Sequence, residues 1–204
     1  MTTDPMEVLV MVVAALELLQ IPYLVGGSFA SSIHGITRLT RDADIVALIK
    51  PDQAHTLAKA LEEKFYVDEQ AIRRAVLAKR CFNVIHLDSM FKVDIFVATP
   101  NEFESSQFER RQAMVLGPGS PPTYVASAED TILAKLRWYR LGNEVSDQQW
   151  SDLLNVAKVQ GARLDLSYLR TWAEALGVAD LLGRALEEAS ISEQPEGFDE
   201  SRRM

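Results

Sequence analysis

Tyr23-Leu-Val-Gly-Gly-Ser28, a thirteen-residue spacer, then Asp42-Ala-Asp44-Ile-Val46: this stretch decides how the chain reads. It spells an apolar strand, a phosphate-sized turn opening a helix, and a second strand bearing two carboxylates. A third acid, Asp94, stands in another strand-like run, Phe91-Lys-Val-Asp-Ile-Phe-Val97. The Asp-x-Asp pair alone says little, because 13 aspartates among 204 residues give about 0.8 such pairs by chance. Its surroundings carry the weight. In a strand, side chains two apart point the same way, so Asp42 and Asp44 share one face while Ala43, Ile45 and Ala47 take the other. One face is left for chemistry and the other for a core.

Two ionised carboxylates about 4 Å apart repel by roughly 4 kcal/mol at an effective dielectric near 20. A strand that presents both needs a proton, a cation or wide splaying. Magnesium answers that need: it prefers oxygen ligands and is usually held by one or two carboxylates together with substrate phosphates. A third acid suits a two-metal arrangement that supports both the attacking and the leaving oxygen of an in-line displacement. In Gly26-Gly27-Ser28, the glycines allow close backbone approach, and the N–H groups opening the helix Ser28–His34 offer partial positive charge to an anion. Ser28 is also a good N-cap residue. Taken by itself, the same tripeptide also reads as an ordinary strand-to-helix turn.

With these residues in place, the chain resembles the nucleotidyltransferase superfamily that includes DNA polymerase β. The family hallmark is an apolar residue, Gly-Ser or Gly-Gly-Ser, a spacer, Asp-x-Asp in a strand, and a third acid in a later strand. Here those elements fall at Val25, Gly26-Gly27-Ser28, Asp42-Ala-Asp44 and Asp94. The wording Arg38-Leu-Thr-Arg-Asp-Ala-Asp44 looks like the small prokaryotic nucleotidyltransferases, including the abortive-infection toxin group. The strong likeness spans roughly residues 20 to 100 and weakens toward 155. The weaker part matches the toxin group's Ser-x-Glu-Asp…Lys helix and the acidic helix after it, which implies functional roles for Lys135 and Asp152. The family's usual Arg-Asp-x-x-Asp is replaced by Ser146-Asp147 with a longer gap to Asp152.

The resemblance implies an α/β nucleotidyltransferase core with a mixed sheet, followed by a small helical bundle. It implies transfer of a nucleoside monophosphate from a nucleoside triphosphate to a hydroxyl. Asp42, Asp44 and Asp94 would be catalytic and metal-binding; Gly26, Gly27, Ser28, Arg38, Arg41, Lys135 and Asp152 would bind nucleotide. The implied cofactor is Mg2+, with room for two ions. The implied partners are the triphosphate, an acceptor such as tRNA, a protein or an aminoglycoside-like small molecule, and a cognate partner protein. A rival of another class is an antitoxin-like module that keeps the scaffold without turnover.

Composition limits the alternatives. At 204 residues, 48% hydrophobic and 25% charged, the chain has the apolar material for a sizeable core. A net charge of −8 argues against a broad grip on duplex nucleic acid, which depends on many phosphate contacts. Arg38, Arg41, Arg73, Arg74, Lys79, Arg80 and Lys92 still form a local basic set, either solubilising surface or a seat for a triphosphate tail or one RNA end. A single cysteine, Cys81, precludes an intramolecular disulfide and CxxC metal sites and suits a reducing, cytoplasmic setting. His34, His55 and His86 lack metal-ligand spacing. Val8–Leu16 is apolar but too short to span a bilayer, and no basic residue precedes it. It reads as a helix capped by Asp4, opened by Pro5 and reaching about Gln20.

The remaining pattern predicts strands at 22–25, 43–49, 65–67, 82–87, 91–97 and 113–116, with Asp88-Ser89 turning a hairpin that brings Asp94 beside the other acids. Helices are expected at 51–64, 69–78 and 102–111, then at 127–141, 146–160, 166–176 and 178–188. Ser127 with Asp130 and Ser146 with Gln149 look like capping boxes, and Gly142 like a stop. Lys135 reads either as a solvated surface charge or as a phosphate or base contact. The turn-rich 117–122 segment is the best boundary, dividing an α/β core (1–117) from a helical subdomain (123–189) and a frayed tail (190–204). Trp138, Tyr139, Trp150 and Trp172 are expected mainly in helix packing, with one exposed ring free to stack on a base.

Overall fold

The computed structural model describes residues 4–116 and 121–191. The tail expected from Ser190 onward lies, past Ile191, outside the described residues, as does residue range 117–120 of the turn-rich loop. Helix α1 (Pro5–Leu18) begins where the Asp4 carboxylate accepts from the Met6 N–H at 2.9 Å, with Pro5 in the first turn. Its residues Val8, Leu9, Val12, Val13 and Leu16 are buried. Strand β1 (Tyr23–Val25) runs into helix α2 (Gly27–His34), and β2 (Asp42–Ala47) follows. The expected single helix at 51–64 is a 3-10 turn, Pro51–Gln53, then α3 (Ala54–Leu61). Next come β3 (Phe65–Tyr66), α4 (Glu69–Ala78), β4 (Cys81–His86) and β5 (Lys92–Val97). The β4–β5 turn closes with Met90 at positive φ, its N–H donating to the His86 carbonyl at 2.8 Å.

After α5 (Glu102–Arg110), strands β6 (Gln112–Val115) and β7 (Pro122–Val125) pair antiparallel. The seven-stranded sheet has the order β3-β4-β5-β2-β1-β7-β6, with β2 parallel to β5, β1 parallel to β7 and the other pairs antiparallel. The sheet therefore continues, through β7, beyond the boundary expected at 117–122 as far as Val125. Period-two patterning puts Ala43, Ile45, Ala47, Val93, Ile95 and Val97 into a core built with α1, α3 and α4. The opposite face of β2 and β5 carries Asp42, Asp44, Lys92 and Asp94.

Helices α6 (Ala128–Leu141), α7 (Asp147–Gln160), α8 (Leu166–Ala175) and α9 (Ala179–Glu188) enclose a second core around Leu133, Leu136, Leu153 and Leu169. Trp150 and Tyr139 belong to it, with Trp172 packed against it, whereas Trp138 is 53% exposed. Ser127 Oγ accepts from the Asp130 N–H at 3.1 Å and donates to Asp130 Oδ2 at 2.7 Å. The capping exchange thus runs through the two side chains rather than back to the Ser127 backbone.

Helix α2 joins the two cores. Buried His34 donates from Nε2 to the Ala126 carbonyl at 2.7 Å, and burial lowers its pKa below the usual imidazole range. Gly35 ends α2 where α7 passes so close that a Cβ there would lie 2.9 Å from both Ser31 O and Val156 N. Backbone atoms on both sides cannot yield cheaply. Gly35→Ala is expected to cost about 1–3 kcal/mol, or about 2–4 °C of Tm per kcal/mol at this chain size. A thermal melt unchanged from wild type would contradict this packing.

Candidate active site

Asp44 and Asp94 are register partners on parallel strands β2 and β5, and Asp42 is likewise partnered with Lys92. Asn83 of β4 faces Asp94 from the other side. Because alternation sends all of these side chains to one face, three carboxylates from two adjacent strands share a small patch. The expectation that the β4–β5 hairpin delivers Asp94 beside the other acids is met in this geometry.

The glycine turn stands against the same patch. The Gly26 N–H donates to the Asp44 carbonyl at 2.9 Å, extending the β1–β2 pairing to the start of α2. Gly27 has φ +54°, and a Cβ on it would fall 1.8 Å from Asp44 Oδ2. Only glycine permits both that conformation and that approach. The turn differs from the sequence expectation in one respect. Gly26, not Ser28, is the N-cap; the helix starts one residue early, and Ser28 lies in its first turn with no capping bond. The Ser28 hydroxyl instead accepts from Arg38 Nη2 at 2.7 Å.

Arg38 connects this turn to the helical part. Its Nε donates to Asp152 Oδ1 at 2.9 Å and its Nη2 to Asp152 Oδ2 at 2.8 Å, a two-pronged charge-assisted contact. Lys135 Nζ adds a third contact to Asp152 Oδ2 at 2.9 Å and donates to Gln149 Oε1 at 3.0 Å. Burial pushes the Asp152 carboxyl up, but Arg38 and Lys135 outweigh it and hold the group below the usual carboxylate range. The solvated-surface reading of Lys135 does not hold, since the residue is 4% exposed. Four of the expected nucleotide-binding residues, Ser28, Arg38, Lys135 and Asp152, are thus joined in one network. Arg41 is exposed and makes no ion pair among the described residues. In the other basic stretch, Arg73 pairs with Glu69 at 2.6 Å and Arg74 with Asp68 at 3.4 Å.

Two further participants, Lys92 of the basic set and Gln149 of the Ser146 capping pattern, take part in contacts that the sequence reading did not give them. Lys92 Nζ lies 2.6 Å from Asp94 Oδ2 and 4.0 Å from Asp42 Oδ2, and the Asp94 contact raises its pKa. Its signal was the spacing Lys92-Val-Asp94, which puts lysine and aspartate on one face. The Gln149 backbone N–H donates to Ser146 Oγ at 3.3 Å, as a capping pattern requires, but its side-chain oxygen accepts from Lys135.

Burial, then the neighbouring charges of Asp42 and Asp94, push the Asp44 carboxyl up to about 6, with Lys135 and Lys92 opposing. Among the described residues, no three His, Cys, Asp or Glu side chains converge as a ready metal site. The donor chemistry nonetheless suits one hard cation: Asp42 and Asp44 carry carboxylate oxygens two residues apart on one face, beside a glycine turn that opens a helix.

No protein-family model matches the chain, and no curated protein does. Solved structures do. The antibiotic-resistance factor ANT(2'')-Ia, crystallised with adenylyl-2''-tobramycin, aligns at TM-score 0.58 and 14% identity over 85% of this chain and 98% of that one. Its solution structure aligns at TM-score 0.53 and 14% identity over 89% and 98%. An antigenic nucleotidyltransferase-like protein from Paracoccidioides brasiliensis aligns at 0.52 and 15% identity over 92% and 94%. The chain has the nucleotidyltransferase fold, a mixed α/β sheet followed by helices.

The raised Asp44 pKa has a thermodynamic sign. Above about pH 6 the folded state carries a charge that the unfolded chain holds more easily; below about pH 4 the group is protonated in both and the penalty vanishes. In chelator-containing buffer, Asp44→Asn should raise Tm at pH 7.5, by at most about 3 kcal/mol of stability. That advantage should shrink as pH falls from 6 to 4. Melts showing the same difference at pH 7.5 and pH 4 would refute this origin.

Proposed function

We propose that this chain is a Mg2+-dependent nucleotidyltransferase that moves a nucleoside monophosphate from a nucleoside triphosphate to a hydroxyl. The observation that supports it best is the in-register placing of Asp44 beside Asp94, with Asp42 on the same face and Gly27 held against Asp44. The backbone N–H groups of Gly26 and Gly27 and the Ser28 hydroxyl would hold the β- and γ-phosphate oxygens at the start of α2. Arg38 and Lys135, both anchored on Asp152, would add positive charge on the same side. Arg41, exposed beside Asp42, would reach the outer phosphates only from solvent.

The acceptor oxygen would attack the α-phosphorus, the new O–P bond forming as the bond to the bridging oxygen breaks and pyrophosphate leaves. Asp94 would orient the acceptor hydroxyl and take its proton on a carboxylate oxygen. Bound at Asp42 and Asp44, Mg2+ would supply charge neutralisation for the phosphates and the departing pyrophosphate. The chain's own contribution is positioning and preorganised charge, the main resources in phosphoryl transfer. Half-exposed Trp138, tilted against Phe96 at a centroid distance of 5.9 Å, offers a ring for a base to stack on.

ANT(2'')-Ia is described with an adenylylated aminoglycoside, so tobramycin belongs in the acceptor panel beside tRNA and protein hydroxyls. A toxin-type role is one form of this activity, tested by the same panel. Each labelled nucleoside triphosphate, incubated with Mg2+ and the panel, should yield a labelled product. Asp44→Ala should lower its rate by about 100-fold or more. Equal rates for the two proteins would end the catalytic reading; Mg2+-dependent nucleotide binding with no product from any acceptor would favour an antitoxin-like binding module.

A further inference from the structure

The three carboxylates are not equally open. The register of β2 with β5 fixes the Lys92 backbone opposite Asp42 and two residues before Asp94, on the face that bears the acids. From there its ammonium reaches Asp94 Oδ2 at 2.6 Å and stands 4.0 Å from Asp42 Oδ2. The gap between the first acid of β2 and the acid of β5 is thus already spanned by a cation carried on the chain. Asp44 makes no ion pair with Lys92; its carboxylate lies against Gly27, toward the start of α2. One flank of the patch, Asp42 with Asp44, faces the glycine turn, and among the described residues no cation of the chain is ion-paired with Asp44. The other flank, Asp42 with Asp94, is closed by lysine.

A second divalent ion placed between Asp42 and Asp94 would have to displace the Lys92 ammonium from Asp94 Oδ2.

We infer that this site takes a single divalent cation, held by Asp42 and Asp44, and that Lys92 supplies from within the chain the positive charge a second ion would bring. The inference rests on the nucleotidyl-transfer reading and deepens it. Lys92 then acts as a positioning residue. It holds Asp94 by a hydrogen bond, leaving the other carboxylate oxygen to the acceptor, and neutralises charge on the attacking side without binding a water as a metal ion does.

Counting ions tests this directly. Mn2+ bound to the full chain, saturated with an α,β-methylene nucleoside triphosphate, is followed by loss of the free-ion electron paramagnetic resonance signal. Wild type should bind one Mn2+ per chain–nucleotide complex, and Lys92→Met should bind two. Its second ion should be held at least tenfold more tightly than any further Mn2+ on wild type. Lys92→Arg, which restores the charge, should return to one. Lys92→Gln serves as a second neutral variant, and melting curves establish that each is folded. Two ions on wild type, or one on both folded neutral variants, overturns the single-ion assignment while leaving nucleotidyl transfer standing. No bound ion on wild type, with or without nucleotide, overturns both.

Discussion

Like charges placed side by side must be neutralised, and most of the architecture around the open face of β2 and β5 answers that demand. Asp42, Asp44 and Asp94 are brought together by strand register, which the buried faces of the same strands hold in place through Ala43, Ile45, Val93 and Ile95. A slip by one residue would send the acids into the core and the core residues into solvent. The hydrophobic effect therefore does the electrostatic work of concentrating negative charge, and Lys92, Lys135 and the N-terminus of α2 oppose it from three directions.

The second core matters to the first through one anion. Asp152 on α7 receives Arg38 from the loop before β2 and Lys135 from α6, so a single carboxylate ties the helical layer to the segment that precedes β2. Such a buried pair is a weak source of net stability, because desolvation offsets much of the attraction. What it does is fix the two cations in place, Arg38 at the glycine turn through Ser28, so that under the proposed transfer little freedom would be left to lose on binding phosphate.

Much of this was legible from the chain itself where a local rule applied. Alternation along Asp42–Ala47 and Lys92–Val97 separated core from chemistry, Asp4 with Pro5 marked the start of α1, and Ser127 and Ser146 marked α6 and α7. What escaped depended on distance or on register. Lys135 looked equally suited to solvent because its partner Asp152 lies on the next helix, and Arg38 meets Asp152 across 114 positions. Lys92 shares a face with Asp94 by spacing, but its reach toward Asp42 exists only once β2 and β5 pair. Ser28 was a sound cap by residue type; Gly27, able to take a positive φ, let the helix begin earlier.

The place of β7 bears on how the chain assembles. Its strand joins the free edge of β1, which follows directly on α1, yet it is made a hundred residues later. Until it emerges from the ribosome, nascent β1 has a partner on one side only, and its bare edge is open to pairing with another chain. A polypeptide stopped after Val115, at the end of β6, would hold every acidic residue of the patch and still lack the strand that shields this seam.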